Sequence, residues 1–298
     1  MAAGAPPEGD RLPAAARALC AGDSDYPAAL LDLPDPPRVL YARGRLPAPA
    51  RTIAIVGSRA ASPYGAAMAR RLAADLAGLG YGIVSGLARG IDAAAHRGAL
   101  EAGGASFAVL PGGLEDITPR HHRELAERLC ARGGLCSERA AGPPPGPGGF
   151  VKRNRLIAAL GAATVVVEAA ERSGALSTAA AAWRLRRPLL AVPGDADRPT
   201  ARGTLGLLRR GAALCDCAGD VVAALGVNAR WPADEAERFG NPPEARLAAA
   251  LEYEPRGAEQ LATAAGLALE ETLATLLRLE WAGVAAVHPG PRWARRGS

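Results

Sequence analysis

Short, nearly uninterrupted apolar runs recur along the middle of the chain: Ile53–Val56, Gly82–Val84, Phe107–Leu110, Thr164–Glu168 and Leu189–Val192. Each is too short for a buried helix and lacks the apolar–polar alternation of a strand with one wet face. Helix-like stretches separate them. Strands that are apolar on both faces and alternate with helices form a parallel sheet covered on both sides. The expected fold is therefore α/β, a doubly wound, Rossmann-like and mostly parallel sheet. The first helix is predicted from Pro63 to Leu79, with Ser62 as N-cap, Pro63 at its first position and Gly80 as its stop. Tyr64, Met68, Leu72, Leu76 and Leu79 make its expected buried stripe. A second helix is expected from Asp92 as N-cap to Gly103-Gly104, and later helices over His121–Ala131, Lys152–Leu160 and Gly174–Trp183.

Around this core the chain divides into residues 1–50, a partly disordered, weakly helical extension with a docking segment; 51–226, the sheet domain; 227–243, a linker; and 244–298. The last stretch reads as three short helices, Glu244–Leu251, Ala258–Ala265 and Glu270–Trp281, then a hairpin across Pro289-Gly290. That pattern is a small winged-helix module. Its candidate recognition helix exposes Glu270, Glu271 and Glu280 against one cation, Arg278. It is therefore not expected to read duplex DNA, although Arg292, Arg295 and Arg296 lie at the wing.

Charge is unevenly placed. Residues 51–226 hold 22 Lys+Arg against 14 Asp+Glu, whereas 1–50 hold 5 against 6 and 227–298 hold 8 against 10. The basic excess thus belongs to the sheet domain, and either a polyanionic partner or a solvated basic surface accounts for it. Lys152 is the sole lysine, so arginine abundance carries no meaning by itself. Five cysteines without a framework spacing read as reduced thiols of a cytoplasmic protein. Cys215-Asp216-Cys217 lacks two further nearby ligands, so no metal is expected. No apolar run reaches membrane-spanning length, and the N-terminus lacks the apolar core of a signal peptide.

Residues just after parallel strands share one crevice. There the sequence places Ser58 and Arg59, Ser85, Gly86 and Arg89, Pro111-Gly112-Gly113, Glu168 and Pro193-Gly194. Gly57-Ser58-Arg59 has no second glycine until Gly65, which excludes the dinucleotide fingerprint, and a Walker loop is absent; no cofactor is expected. The run Phe150, Val151, Lys152, Arg153, Asn154, Arg155 sets an aromatic ring beside three cations and an amide. That combination suits a single-stranded nucleic acid, with the ring for bases and the cations for phosphates. The competing assignment makes Phe150 a core anchor and the cations a solvated helix start. Arg172, Ser173 and Gly174 are either further phosphate contacts or a helix cap. Asp92 and His96 read as a cap and a held histidine rather than an acid/base pair, and Glu168 as a brace for backbone N–H groups. No catalytic residue is assigned.

Several spaced motifs together resemble the DprA/Smf DNA-processing family: Gly57-Ser58-Arg59, Ser85-Gly86-Leu87-Ala88-Arg89-Gly90-Ile91-Asp92 with His96, Phe150-x-x-Arg153-Asn154-Arg155, and Glu168-Ala169 with Ser173-Gly174. The resemblance spans about Tyr26 to Leu225 and, less closely, the terminal module. It implies a homodimeric protein that binds single-stranded DNA, protects incoming strands during natural transformation and loads RecA recombinase. By position it puts Arg59, Phe150, Lys152, Arg153 and Asn154 in the DNA pocket. The helical domain common at the family's N-terminus is reduced here to a short segment, the loop Ala140–Gly149 is rich in Pro and Gly, and Pro111-Gly112-Gly113 replaces a Gly-Thr-Gly type of turn. The alternative is a nucleoside-monophosphate phosphoribohydrolase of the lysine-decarboxylase-like group. Its Pro-Gly-Gly-x-Gly-Thr pattern breaks at Leu114-Glu115-Asp116.

Overall fold

A computed structural model describes residues 15–142, 146–226, 242–252, 254–281 and 284–295. Contacts divide the chain into two units, residues 1–228 and 229–298. In chain order the first contains β1 (Ala16–Cys20), β2 (Val39–Gly44), β3 (Thr52–Val56), α1 (Pro63–Gly78), β4 (Gly82–Ser85), α2 (Ile91–Glu101), β5 (Ser106–Leu110), α3 (Arg123–Arg132) and β6 (Gly134–Ser137). There follow α4 (Pro147–Leu160), β7 (Ala163–Val166), α5 (Ala175–Arg184), β8 (Leu189–Ala191), α6 (Arg202–Arg209), β9 (Ala213–Leu214) and α7 (Ala218–Ala224).

Among the described residues these strands form one sheet in the order β1-β2-β6-β5-β4-β3-β7-β8-β9. From β6 to β9 every neighbouring pair is parallel, with Ile53 beside Ile83 on one side and Val56 beside Val166 on the other. The chain winds outward from β3 to β6, then returns to the other side of β3 at β7. This reversal is the switch point at which open α/β sheets leave a crevice beyond their strand ends. Alternate residues face opposite layers: Ile53 and Ile55 pack with Leu72, Leu76, Ile91 and Val221, whereas Ala54 and Val56 pack with Leu156, Ile157 and Ala179. The doubly wound core follows the expected pattern.

The N-terminal segment differs from expectation. Ala16–Cys20 is a strand rather than a weak helix, and β1 and β2 extend the main sheet in antiparallel fashion, β2 pairing with β6. Ala16–Cys20 and Val39–Gly44 thus belong to the first unit's sheet, while Tyr26, Leu30 and Leu33 between them are buried in its core; residues 1–14 of the expected extension lie outside the described residues.

The buried stripe of α1 also differs. Tyr64 and Leu79 are exposed, and the buried positions are Gly65, Ala69, Leu72, Ala73 and Leu76. The reason is a close α1–α2 contact: a Cβ on Gly98 of α2 would collide with the Arg70 carbonyl of α1. Small residues thus face the neighbouring helix. Ser62 caps α1 as expected, its hydroxyl accepting from Gly65 N–H at 3.0 Å. Helix α2 instead starts after Gly90, placing Asp92 within its first turn. Helix α4 begins at Pro147, five residues before the expected start, so Phe150 to Arg155 lie on a helix that takes up the end of the supposed Ala140–Gly149 loop.

The second unit contains α8 (Pro242–Ala250), β10 (Arg256–Gly257), α9 (Ala258–Ala265), α10 (Leu269–Trp281), β11 (Ala285–His288) and β12 (Arg292–Arg295). The strands form a sheet in the order β10-β12-β11. Leu247, Leu251, Leu261, Leu276, Leu279 and Trp293 make its core. This is the expected winged-helix arrangement with one short added strand. Most of the expected linker, residues 227–241, and Arg296 lie outside the described residues. Among the described residues no helix is long and apolar enough to cross a membrane.

Candidate nucleic-acid interface

At the switch point, beyond the C-terminal ends of β3 and β7, lies a cavity of about 600 Å³. One wall is the turn after β3, with Ser58 and Arg59; the opposite wall is Arg172, Ser173 and Gly174, after β7. The first turns of α4 close it with Phe150, Arg153 and Asn154. The three separate stretches singled out in the sequence thus meet. The guanidinium carbon of Arg59 lies 4.5 Å from the centroid of the Phe150 ring, a cation–π contact. Arg59 is exposed and Phe150 half-buried, so ring and charge both border the opening.

Two helices present their N-termini here. Neither α4 nor α5 has an acid in its first turn. Their positive ends are therefore left for an anion from outside, although the N–H groups of Ala175, Leu176 and Ser177 at the α5 start are taken by oxygens of Ser173 and Gly174. The amide of Asn154 ties the two together, donating to Gly174 O at 3.1 Å and Ser177 Oγ at 2.9 Å. That fixes the α5 start against α4. The floor holds a group the sequence did not single out: the Thr178 hydroxyl, buried and without a hydrogen-bond partner among the described residues. A threonine within a helix carries no sequence signal of this kind, because most bond to a preceding carbonyl.

Arg153 differs most from its expected role. It is 4% exposed, and its Nη1 donates to Gly86 O at 2.9 Å and to Val109 O. Its Nε donates to Asn154 Oδ1. A guanidinium spent on two strand-end carbonyls is a brace beneath the cavity rather than an exposed phosphate hook. Burial pulls its pKa down to about 10 against the pull of Asp92, and the Arg59 charge adds to the lowering. Asp92 is buried on the same loop, accepting from Gly86 N–H at 3.1 Å and Ala88 N–H at 3.3 Å. Its burial raises its pKa, which Arg153 and those N–H groups partly offset. Gly86 separates the two side chains, since a Cβ there would collide with both. Ser85 and Gly86 are likewise internal: the Ser85 hydroxyl donates to Ile55 O at 2.6 Å.

Arg155 is also committed elsewhere. It pairs with Glu138 at 2.7 Å and Asp35 at 2.9 Å, fastening α4 to the N-terminal segment. The unfavourable cations expected at the α4 start are therefore mostly neutralised, and Lys152 alone of the three is exposed. Arg89 is exposed on the loop after β4, beyond the cavity wall. Pro111-Gly112-Gly113 is buried, with Gly112 O accepting from Ser137, and does not reach the cavity.

Asp92 and His96 do not form an acid/base pair. His96 Nδ1 is 2.7 Å from Ser106 Oγ, and burial drives its pKa down to about 3, with the His122, Arg153 and Arg97 charges adding to it. Glu168 is the expected brace, accepting from Ser62 N–H at 3.0 Å and Ser62 Oγ–H at 2.8 Å. Among the described residues the one group with metal-ligand proximity is Asp216, Cys217 and Asp220. Asp220 there already accepts the N–H groups of Asp216 and Cys217, the start of α7.

A family model described as DNA recombination-mediator protein A matches residues 17–226, and one described as DprA winged helix domain matches residues 231–291. Protein Smf of Escherichia coli strain K12 is 39% identical over 283 residues, covering 91% of this chain and 76% of that protein. DNA processing protein A (DprA) from Streptococcus pneumoniae has a solved structure that superposes with a TM-score of 0.65 at 34% identity, over 70% of this chain and 73% of that one. The structure of DNA processing protein A from Helicobacter pylori, described for its unique single-stranded DNA binding mode, superposes with a TM-score of 0.63 at 30% identity. It covers 70% of this chain and 95% of that one. Family matches over both units, and likeness in sequence and structure over most of the chain, agree: the chain belongs to the DNA recombination-mediator protein A family, whose curated members are named DprA and Smf.

Proposed function

We propose that this chain is a non-enzymatic DNA-processing protein that binds single-stranded DNA in the switch-point cavity, shields incoming strands during natural transformation and delivers them to RecA recombinase, working as a homodimer. The observation that carries the reading is the Arg59–Phe150 contact at the mouth of a cavity flanked by two helix N-termini without acids. A stacking ring beside a cation serves a flexible, unpaired strand, whereas a duplex offers no free base face. In this arrangement Phe150 takes a base, and Arg59, Arg172 and the N–H group of Gly174 take phosphates, the Ser173 N–H being held by Ala170 O. Lys152 and Arg89 extend the positive rim. Arg153 acts from below by holding α4 on the strand ends.

The relatives' names support the same reading, since the H. pylori protein of similar fold is described as a binder of single-stranded DNA. Anisotropy of labelled oligonucleotides over a salt series tests it. Single strands are expected to bind far more tightly than duplexes, and Arg59→Ala is expected to flatten the salt slope by roughly 0.7. Equal affinity for duplex and single strand would refute it. Base release from a nucleoside monophosphate would instead favour the hydrolase alternative.

A further inference from the structure

A second cavity, of about 390 Å³, lies beyond the ends of β7 and β8. It falls in the size range of small-ligand clefts, about 300 to 1,000 Å³. A thin ridge separates it from the first: Ser58 N–H donates to Glu168 O at 2.7 Å, joining the turns after β3 and β7. On the far side of that ridge Tyr64 presents a ring that is 50% exposed, unusual for a large aromatic in the first turn of a helix packed on a sheet. Its hydroxyl lies 3.4 Å from Pro193 O. The Glu168 side chain, 6% exposed, lines the same cavity. Its Oε2 takes both donors of Ser62, while Oε1 has only a long contact of 3.4 Å to the same N–H. One carboxylate oxygen is therefore held by the protein and the other keeps acceptor capacity. At the rim Arg198 pairs with Asp195 at 2.6 Å, so the rim carries no net charge from this pair.

We propose that this cavity is a second base-binding subsite for the strand held at Phe150, with Tyr64 stacking on the base and Glu168 Oε1 accepting from an exocyclic amino group. The inference rests on the single-stranded DNA reading above. The subsite takes a base and not a phosphate, because Glu168 repels an anion. It discriminates by exocyclic group: cytosine, adenine and guanine each carry an amino group, whereas thymine has none and sets its O4 against the carboxylate where cytosine has its N4 amino group, leaving the ring N3–H as its one donor. A lone pair facing a buried carboxylate costs affinity, which is how a site rejects one pyrimidine of nearly the same shape as another.

Glu168→Gln separates this role from simple bracing. The amide oxygen of glutamine can keep the two Ser62 donors, leaving its NH2 toward the cavity. An acceptor thus becomes a donor with little change of shape. Affinities for oligo(dC) and oligo(dT) of equal length, measured at pH 8, should favour oligo(dC) in the unsubstituted chain by about fivefold or more. In Glu168→Gln the preference should reverse. Tyr64→Leu, a change at an exposed ring, should weaken both oligonucleotides and shrink the ratio, which keeps the proposal testable even if Glu168→Gln fails to fold. Tight binding with equal affinities in the unsubstituted chain, or a dC:dT ratio that both variants leave unchanged, overturns the subsite while leaving the Phe150 cavity standing. Failure of the unsubstituted chain to bind either oligonucleotide overturns the strand-binding reading and the subsite together.

Discussion

Helices α4 and α10 carry the same kind of dipole and dispose of it in opposite ways. The first turn of α10 holds Glu270 and Glu271, so its positive end is answered from within. Its exposed side shows Leu269, Leu273 and Leu277 at four-residue spacing, and Arg278 is turned to Glu244 at 2.9 Å. Helix α4 has no acid in its first turn, and it opens toward Arg59 with a half-buried ring between them. A winged helix is a common DNA reader and a doubly wound sheet a common nucleotide holder. On the proposed function the two helix ends divide the work, the sheet unit offering an unanswered positive end for nucleic acid and the winged helix a surface better suited to protein. Fold sets where a site can be; unsatisfied charge decides which of the available places is used.

That contrast can be strained from several sides. The largest effect should come from Arg153→Ala, which leaves Asp92 buried beside an empty space and deprives the Gly86 and Val109 carbonyls of their donor. A loss of about 3 kcal/mol or more is expected, read as a lower midpoint of thermal unfolding for the sheet unit. A variant that melts normally but no longer binds DNA would make Arg153 a contact after all. Next in size is Phe150→Ala, expected to cost about 1 to 3 kcal/mol of single-strand binding with stability nearly unchanged; unaltered affinity would remove the stacking ring from the interface.

Acid should separate the units as well. His96 folds with its pKa held near 3 by burial, below the ordinary 6.5. The unfolded chain therefore binds the extra proton between those values, and stability falls as pH drops below about 6.5. For this one group the loss reaches about 2 kcal/mol at pH 5. Chemical unfolding at pH 7 and pH 5 should show it, and His96→Gln should flatten the difference. The smallest effect is expected from Arg292→Ala on the wing, with no change in DNA affinity or salt slope. A slope that drops by roughly 0.7 would place a phosphate on the wing and undo the contrast.

The sheet was legible because its strands are apolar on both faces and alternate with helices, a combination that a parallel sheet covered on both sides produces. Strands β1 and β2 were not, since they mix Arg17 and Arg43 with apolar side chains and β2 pairs with β6, about ninety residues away in sequence. The α1 stripe departs from expectation for a related reason: hydrophobic periodicity counts Tyr64 and Leu79, whereas close packing buries Ala69 and Ala73, and a Cβ on Gly65 would collide with the Glu168 carboxylate. At the site, the strand-end rule placed Arg59, and the run of a ring beside cations singled out Phe150, whereas Arg172 stood open between a phosphate contact and a helix cap. The division of labour among the three cations after Phe150 was not legible, because what Arg153 and Arg155 bind comes from Val109, Gly86, Glu138 and Asp35, and sequence spacing holds no record of those encounters.

The contact of Gly98 with the Arg70 carbonyl has a kinetic meaning. It clamps α2 to α1, and through Asp92 it holds the loop after β4 in the shape on which Arg153 and α4 rest. A surface assembled in advance spends little of its binding free energy on ordering itself. On the proposed function, capture of a strand by such a surface is expected to be limited by encounter and charge, not by the closing of a loop.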